Sequence, residues 1–128
     1  MKIFVDSDVV ISSLISNTGA AAQLLNTENN VVKIISNLSQ KELKIVMARL
    51  NIDKPLPKLE VINIKDIKKY ATYSTDPNDA HIVAGADQSK SRFLITYNLK
   101  HYKIDKIKQD LDIIVMTPGI FLQYLRLG

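Results

Sequence analysis

Carboxylates are the residues of this sequence best suited to chemistry, because it contains only two histidines and no cysteine. The absence of cysteine excludes disulfides, thiolate metal sites and cysteine nucleophiles. Neither the G-x-G-x-x-G pattern nor the P-loop pattern of phosphate-binding loops occurs. The chemistry to look for is therefore acid–base or metal chemistry carried by aspartate and glutamate.

The first two acids directly follow an apolar run. Asp6 and Asp8 come after Ile3–Val5, and an acid at the carboxyl end of a central parallel strand lies where open α/β sheets bind ligands. Either acid also fits the N-cap of a short helix over Val9–Leu14. We favour the site role and keep capping as the alternative.

Two further acids lie in patterns typical of helix starts. Ser39-x-x-Glu42 fits a capping box. Asp76, Pro77 and Asp79 fit the N-cap, first and third positions of another helix. Because the helix dipole favours acids in a first turn, each pattern taken alone predicts a structural role.

Strand-length apolar runs alternate with helical patterns, which predicts an α/β fold: a three-layer α/β/α sandwich with a mainly parallel sheet of about five strands. The runs are mostly continuous, as in strands buried on both faces. The predicted strands are Ile3–Val5, Val31–Ile35, Leu59–Ile64, Phe93–Thr96 and Ile113–Met116. The predicted helices are Ala20–Leu25, Gln40–Leu50, Pro77–Gln88 and Pro118–Leu127, with a further helical segment at Ile67–Tyr73.

Length and composition narrow the class of protein. A chain of 128 residues predicts a single domain, residues 1–128, and 46% hydrophobic residues are enough for a core. No stretch approaches the roughly 20 apolar residues of a membrane span, and an acid at position 6 comes too early for a signal peptide. We expect a soluble, cytoplasmic protein with no membrane partner.

The predicted fold brings the separate acids together. In a right-handed βαβ unit, the helix starts at the edge where the preceding strand ended. Asp6, Glu42 and Asp79 should therefore meet at the carboxyl edge of the sheet, together with Asn98, which follows the fourth strand. Crowded carboxylates repel one another, and a hard divalent cation relieves that repulsion. All-oxygen ligands favour Mg²⁺ or Mn²⁺ over Zn²⁺.

Four blocks of this sequence resemble the PIN-domain family, a set of metal-dependent ribonucleases that includes the VapC-type toxins of toxin–antitoxin pairs. Their order and spacing cover essentially the whole chain. The blocks are Ile3–Ser12, Ser39–Leu43, Asp76–Ala86 and Leu94–Tyr102. The resemblance implies a sheet order of 3-2-1-4-5, Mg²⁺- or Mn²⁺-dependent cleavage of RNA, a homodimer and an antitoxin protein as partner.

The resemblance also implies roles for single residues. Asp6, Glu42 and Asp79 match the family's metal-binding carboxylates. Asn98 stands where a fourth acid is usual, and its neutral carbonyl would hold a second metal less well and lower the activity. The residues expected around the metal ligands are Asp8, Asp76 and Thr96. Apolar residues near Leu14, Ile15 and the helix over 40–50 are expected to form the protein–protein contacts.

The charge balance fits an anionic substrate. Without the five candidate acids, Asp6, Asp8, Glu42, Asp76 and Asp79, the chain has 17 basic residues against eight acidic ones, a balance of +9. An acidic pocket on a basic surface suits a metal in the pocket and phosphodiesters around it. The candidate RNA contacts follow the fourth strand and are Lys100, His101 and Lys103. A solvated helix face explains these lysines equally well.

Three other interpretations stay open. The run Asp6–Val10 also fits the opening motif of haloacid-dehalogenase-like phosphatases, whose first aspartate is a nucleophile, although the later acids do not follow a strand as that family requires. A receiver-like binding module would need a lysine after the fifth strand, and residues 114–118 contain none. A catalytically weakened PIN-fold binding module is consistent with Asn98.

Overall fold

The sheet has five parallel strands in the order β3-β2-β1-β4-β5. The computed structural model describes residues 1–27 and 30–127. The strands are β1 (Lys2–Val5), β2 (Val32–Ser36), β3 (Glu60–Ile62), β4 (Phe93–Ile95) and β5 (Ile114–Met116). Each neighbouring pair is parallel, including β1 with β2, where Ile3 pairs with Lys33. The predicted strand order is therefore confirmed.

Helices pack on both faces of the sheet and complete the three layers. They are α1 (Ser7–Ile15), α2 (Ala20–Asn26), α3 (Asn37–Arg49), α4 (Ala80–Gln88), α5 (Ile104–Leu111) and α6 (Pro118–Leu127). Short 3₁₀ segments lie at Ile67–Tyr73, Pro77–Asp79 and Leu99–His101. Across residues 1–27 and 30–127, none of the helices has the length and apolar character needed to cross a bilayer.

The central strand β1 supplies side chains to two hydrophobic cores. Ile3 and Val5 join the core formed with α1, α2 and α6, whereas Phe4 joins the core formed with α4 and α5. The alternation of a β-strand sends successive side chains to opposite faces. Because both faces are covered, the strand is apolar from Ile3 to Val5, as the continuous run in the sequence predicted.

Helix α4 lies unusually close to β1. A Cβ atom built on Gly85 would lie 2.2 Å from Cζ of Phe4, so only glycine allows this approach. The first residues of α4 follow Asp79 directly. The contact between Gly85 and Phe4 therefore sets the distance between the strand that carries Asp6 and the helix that follows Asp79.

The predicted start of α3 was wrong. The helix begins at Asn37, and the backbone N–H of Ser39 donates to the hydroxyl of Ser36 at 3.0 Å. Ser36 is also the last residue of β2, so strand and helix join without a loop and the cap falls on the strand end. Ser39 is therefore inside the first turn, and Glu42 lies beyond the capping-box position.

Two residues expected to be available for protein–protein contacts differ in exposure. Ile15 is 64% exposed, but Leu14 is only 6% exposed because it packs in the core formed with α1 and α2. Leu50, the last residue of the predicted helix over 40–50, follows the end of α3 and is 49% exposed. Leu14 is therefore excluded as a contact residue, and Leu50 is available as one.

Candidate active site

Asp6 stands at the carboxyl end of β1, in the middle of the sheet. Its backbone N–H donates to the carbonyl of Ile95 in β4 at 2.9 Å. It occupies the N-cap position of α1, yet its side chain makes no capping hydrogen bond. Its Oδ2 instead accepts from the hydroxyls of Thr96 at 3.0 Å and Tyr102 at 2.8 Å. The carboxylate is buried and is held by Thr96, directly after β4, and by Tyr102, directly after the 3₁₀ segment over 99–101, so capping does not account for it.

Asp8 lies two residues further on, in the first turn of α1, and one of its carboxylate oxygens lacks a hydrogen-bond partner among the described residues. Its Oδ2 accepts from the backbone N–H of Tyr97 at 3.0 Å and from the Thr96 hydroxyl at 3.4 Å. Its Oδ1 is buried and has no hydrogen-bond partner among the described residues. Burial, and then the negative charge of Asp6, raise the pKa of Asp8 to about 6. The charge of Asp6 thus opposes the ionisation of the neighbouring Asp8 carboxyl.

Glu42 reaches the same edge from α3. Its Oε1 lies 3.0 Å from Nε2 of His81, a buried residue in the first turn of α4. The hydroxyl of Ser7 lies 3.4 Å from Glu42 Oε2 and 3.5 Å from Asp6 Oδ1. One serine hydroxyl therefore spans the gap between two of the predicted metal-binding carboxylates.

Asp79 completes the group of acids from the other side of β1. Burial raises its pKa; the neighbouring His101 lowers it, and the charges of Asp6 and Asp76 raise it further. The Oδ2 of Asp79 is 3.2 Å from Nδ1 of His101. His101, a predicted RNA contact, therefore lies against a predicted metal ligand.

The remaining predicted residues lie around this group. The side chain of Asp76 accepts from the backbone N–H of Asn78 at 2.9 Å, which confirms its predicted capping position before Pro77. Asn98 is exposed, and its backbone N–H donates to the Thr96 hydroxyl at 3.0 Å. Lys100 is exposed in the 3₁₀ segment over 99–101, and Lys103 is exposed at the N-cap position of α5.

Sequence reasoning missed His81 and Tyr102. His81 comes two residues after Asp79, so its position at a helix start was a usable signal for the same edge. Tyr102 is five residues beyond Tyr97 and reaches Asp6 only because the chain turns back through the 3₁₀ segment over 99–101. Nothing in the spacing of the sequence indicates that return.

The residues fit a hard divalent cation in donor type and charge. Their donors are carboxylate oxygens, Asp8 keeps a buried oxygen without a partner, and Asp6 raises the pKa of both Asp8 and Asp79. No three histidine or acidic side chains of residues 1–27 and 30–127 stand close enough together to hold one ion. A cation that binds Glu42 and Asp79 would compete for their carboxylate oxygens with the imidazoles of His81 and His101, which contact them in this structure.

Solved structures with the same architecture are known, although no protein-family model and no curated protein matches the chain. VapBC2 from Rickettsia felis, bound to a DNA fragment from its promoter, matches with a TM-score of 0.57 and 16% identity over 91% of this chain and 98% of that one. FitAB bound to an IR36 DNA fragment matches with a TM-score of 0.57 and 18% identity, over 91% and 94%. At these identities the likeness concerns the fold, and the chain has a PIN-like α/β fold.

Proposed function

We propose that this protein is a metal-dependent ribonuclease that cleaves RNA phosphodiester bonds with Mg²⁺ or Mn²⁺. The observation that carries the proposal is the convergence of Asp6, Asp8 and Asp79 on the carboxyl edge of β1, where the charge of Asp6 raises the pKa of both other acids. If these aspartates only capped helices, their carboxylates would not need to lie close enough to repel one another. Perturbed carboxylates that converge from several elements are typical of functional sites.

Each acid has a proposed role. Asp6, Glu42 and Asp79 would hold the cation if they move closer together than they stand in this structure, and Asp8 would add negative charge beside it. The cation would supply Lewis-acid chemistry at a phosphate and lower the pKa of a water. Thr96 orients Asp6 and Asp8 through its hydroxyl. Asn98 contributes a neutral amide at the mouth of the site.

Basic residues beside the acids support RNA as the substrate. Lys100 and Lys103 are exposed on the segment that follows β4, and we propose that they bind backbone phosphates on either side of the cleaved bond. His101 lies between these lysines in sequence and contacts Asp79. We propose that it orients that carboxylate at the point where the RNA enters.

We further propose that the chain forms a homodimer and binds an antitoxin protein, as the toxin of a toxin–antitoxin pair. The similar solved structures are the complexes VapBC2 and FitAB, each bound to DNA. In this chain Ile15, Ile45 and Leu50 are exposed on and beside α1 and α3, which pack together. An exposed apolar surface of this kind is suited to a protein partner.

A catalytically weakened PIN-fold module is the second candidate. The observations that favour it are the lack of a three-donor group in the described part of the chain and the amide of Asn98 in place of a fourth acid. Such a module would bind RNA or a protein partner without cleaving RNA. Activity therefore decides between the two candidates.

Cleavage assays with two substrates test the proposal. The protein is incubated with RNA and with p-nitrophenyl phosphate, each with Mg²⁺, Mn²⁺ or EDTA. We expect RNA cleavage with either metal and none in EDTA. Ester hydrolysis without RNA cleavage would instead support a phosphatase, and no hydrolysis of either substrate would support the binding module.

A further inference from the structure

The two oxygens of the Asp6 carboxylate have very different surroundings. Oδ2 accepts two good hydrogen bonds, from Tyr102 Oη at 2.8 Å and from Thr96 Oγ1 at 3.0 Å. Within residues 1–27 and 30–127, Oδ1 has only the Ser7 hydroxyl at 3.5 Å, which is a weak contact at best. One oxygen is therefore fully engaged by the protein and the other retains its accepting capacity.

Tyr102 is well suited to hold Oδ2. It is only 5% exposed, and its hydroxyl lies 2.8 Å from Oδ2 in the buried part of the site. A phenol hydroxyl is a hydrogen-bond donor that suits a carboxylate oxygen. A charge-assisted hydrogen bond of this length is stronger than a neutral one.

The position of Tyr102 is fixed by a second segment of the chain. Its backbone forms an antiparallel bridge with Ser74, and the flanking backbone hydrogen bonds run from Thr75 to His101 and from Lys103 to Tyr73, each at 2.9 Å. These bonds join the loop after β4 to the segment that leads into Asp79. The phenol is thus anchored to the chain on both sides of the candidate site.

We infer that Tyr102 is a positioning residue, whose hydroxyl, together with that of Thr96, holds Oδ2 of Asp6 so that Oδ1 is the oxygen presented to the divalent cation. This inference rests on the proposed function. Without the phenol hydroxyl, Asp6 keeps a single strong donor, and its carboxylate is free to rotate away from the cation. Removing such a supporting contact typically weakens metal binding.

Tyr102→Phe tests the inference, because it removes only the hydroxyl. Tyr70→Phe is a matched control: Tyr70 is also buried, and its hydroxyl donates to Oδ2 of Asp87 at 2.5 Å, away from the candidate site. Mn²⁺ binding to each metal-free protein is measured by titration calorimetry at one pH, and thermal melting is followed with and without Mn²⁺. We expect Tyr102→Phe to weaken Mn²⁺ binding on the order of 10-fold, and Tyr70→Phe to leave it unchanged.

The possible results separate this inference from the ribonuclease proposal. If Tyr102→Phe lowers the melting temperature but binds Mn²⁺ like the wild type, Tyr102 is purely structural and the inference is overturned while the metal site stands. If the wild type binds no Mn²⁺, the proposed metal site falls, and the inference falls with it. Should Tyr102→Phe fail to fold, Thr96→Val removes the other hydroxyl from Oδ2 and must weaken Mn²⁺ binding in the same way.

Discussion

Asp8 is a source of instability in the metal-free protein. Burial and the charge of Asp6 raise its pKa from 3.8 to about 6. Because the folded pKa lies above the unfolded one, the stabilising effect of this proton is complete below about pH 3.8 and is lost as the pH rises through 6. At neutral pH the folded chain carries an ionised carboxylate that has an unpartnered buried oxygen.

Asp8→Asn should therefore stabilise the metal-free protein at neutral pH. The amide removes the repulsion with Asp6 and keeps an oxygen that can accept from Tyr97. We expect a higher melting temperature than wild type at pH 7.5 in EDTA, with the gain shrinking towards pH 4, where wild-type Asp8 is protonated in the folded state. Asp105→Asn, at an exposed acid on α5, serves as the control. A lower melting temperature for Asp8→Asn at both pH values would contradict this account.

The acids of the site could be predicted from the sequence, but their contacts could not. Asp6 follows a strand and Asp79 opens a helix, so their meeting at one edge depends only on the handedness of βαβ units. The contacts of Asp6 with Tyr102 and of Glu42 with His81 depend on how closely separate elements approach. Those distances are set by packing between residues far apart in the sequence, which spacing does not encode.

At the scale of elements, the strands were predictable because their apolar runs are short and continuous. All five predicted strands overlap the observed ones, with ends that differ by at most two residues. Helix α5 was not predicted as an element, because only Ile107 of its eight residues is buried and the rest are mainly charged or exposed. The start of α3 was misplaced because Ser36 and Ser39 are both plausible caps, and the end of β2 decided between them.

The close approach of α4 to β1 gives a prediction at this scale. Gly85→Ala would place a methyl group 2.2 Å from Cζ of Phe4. We expect it to destabilise the fold by about 1–3 kcal/mol, although alanine is favoured over glycine in a helix by about 1 kcal/mol. Denaturant unfolding measures the effect.

Gly119→Ala is the matched control for that measurement. Gly119 lies in α6, and a Cβ there would meet no atom within 4 Å. This variant should be neutral or slightly stabilising. If Gly85→Ala unfolds at the same denaturant concentration as the wild type, the contact with Phe4 does not fix α4.

At the scale of the whole molecule, the proposed homodimer predicts that a charged substitution in its interface produces a monomer. Ile15 is 64% exposed at the end of α1, and Ile15→Glu would bury a charge in an interface formed by α1 and α3. We expect a dimer for the wild type and a monomer for Ile15→Glu, measured by size-exclusion chromatography with light scattering. Ile120→Glu, at an exposed position of α6, should remain dimeric. A strictly monomeric wild type at high concentration would refute the dimer.

The PIN-like fold places acidic side chains at the carboxyl edge of the sheet in a chain whose net charge is positive. The chain has a net charge of +4, and its candidate site acids gather where β1 ends. A metal-dependent ribonuclease needs this separation, because a cation binds at the acids while the surrounding positive charge attracts RNA. Asp6 lies at the centre of the arrangement, in contact with Thr96 and Tyr102 and next to Asp8.

Asp6→Asn therefore tests the central claim most directly. Cleavage of RNA is measured for wild type and variant prepared in parallel, with Mn²⁺ and with EDTA, and the thermal melting of both is recorded under the same conditions. The account predicts that Asp6→Asn lowers Mn²⁺-dependent cleavage on the order of 100-fold or more, while its melting temperature in EDTA equals or exceeds that of the wild type, because the amide oxygen still accepts from Thr96 and Tyr102 and the repulsion with Asp8 is relieved. Wild-type cleavage by Asp6→Asn would contradict the metal-site assignment.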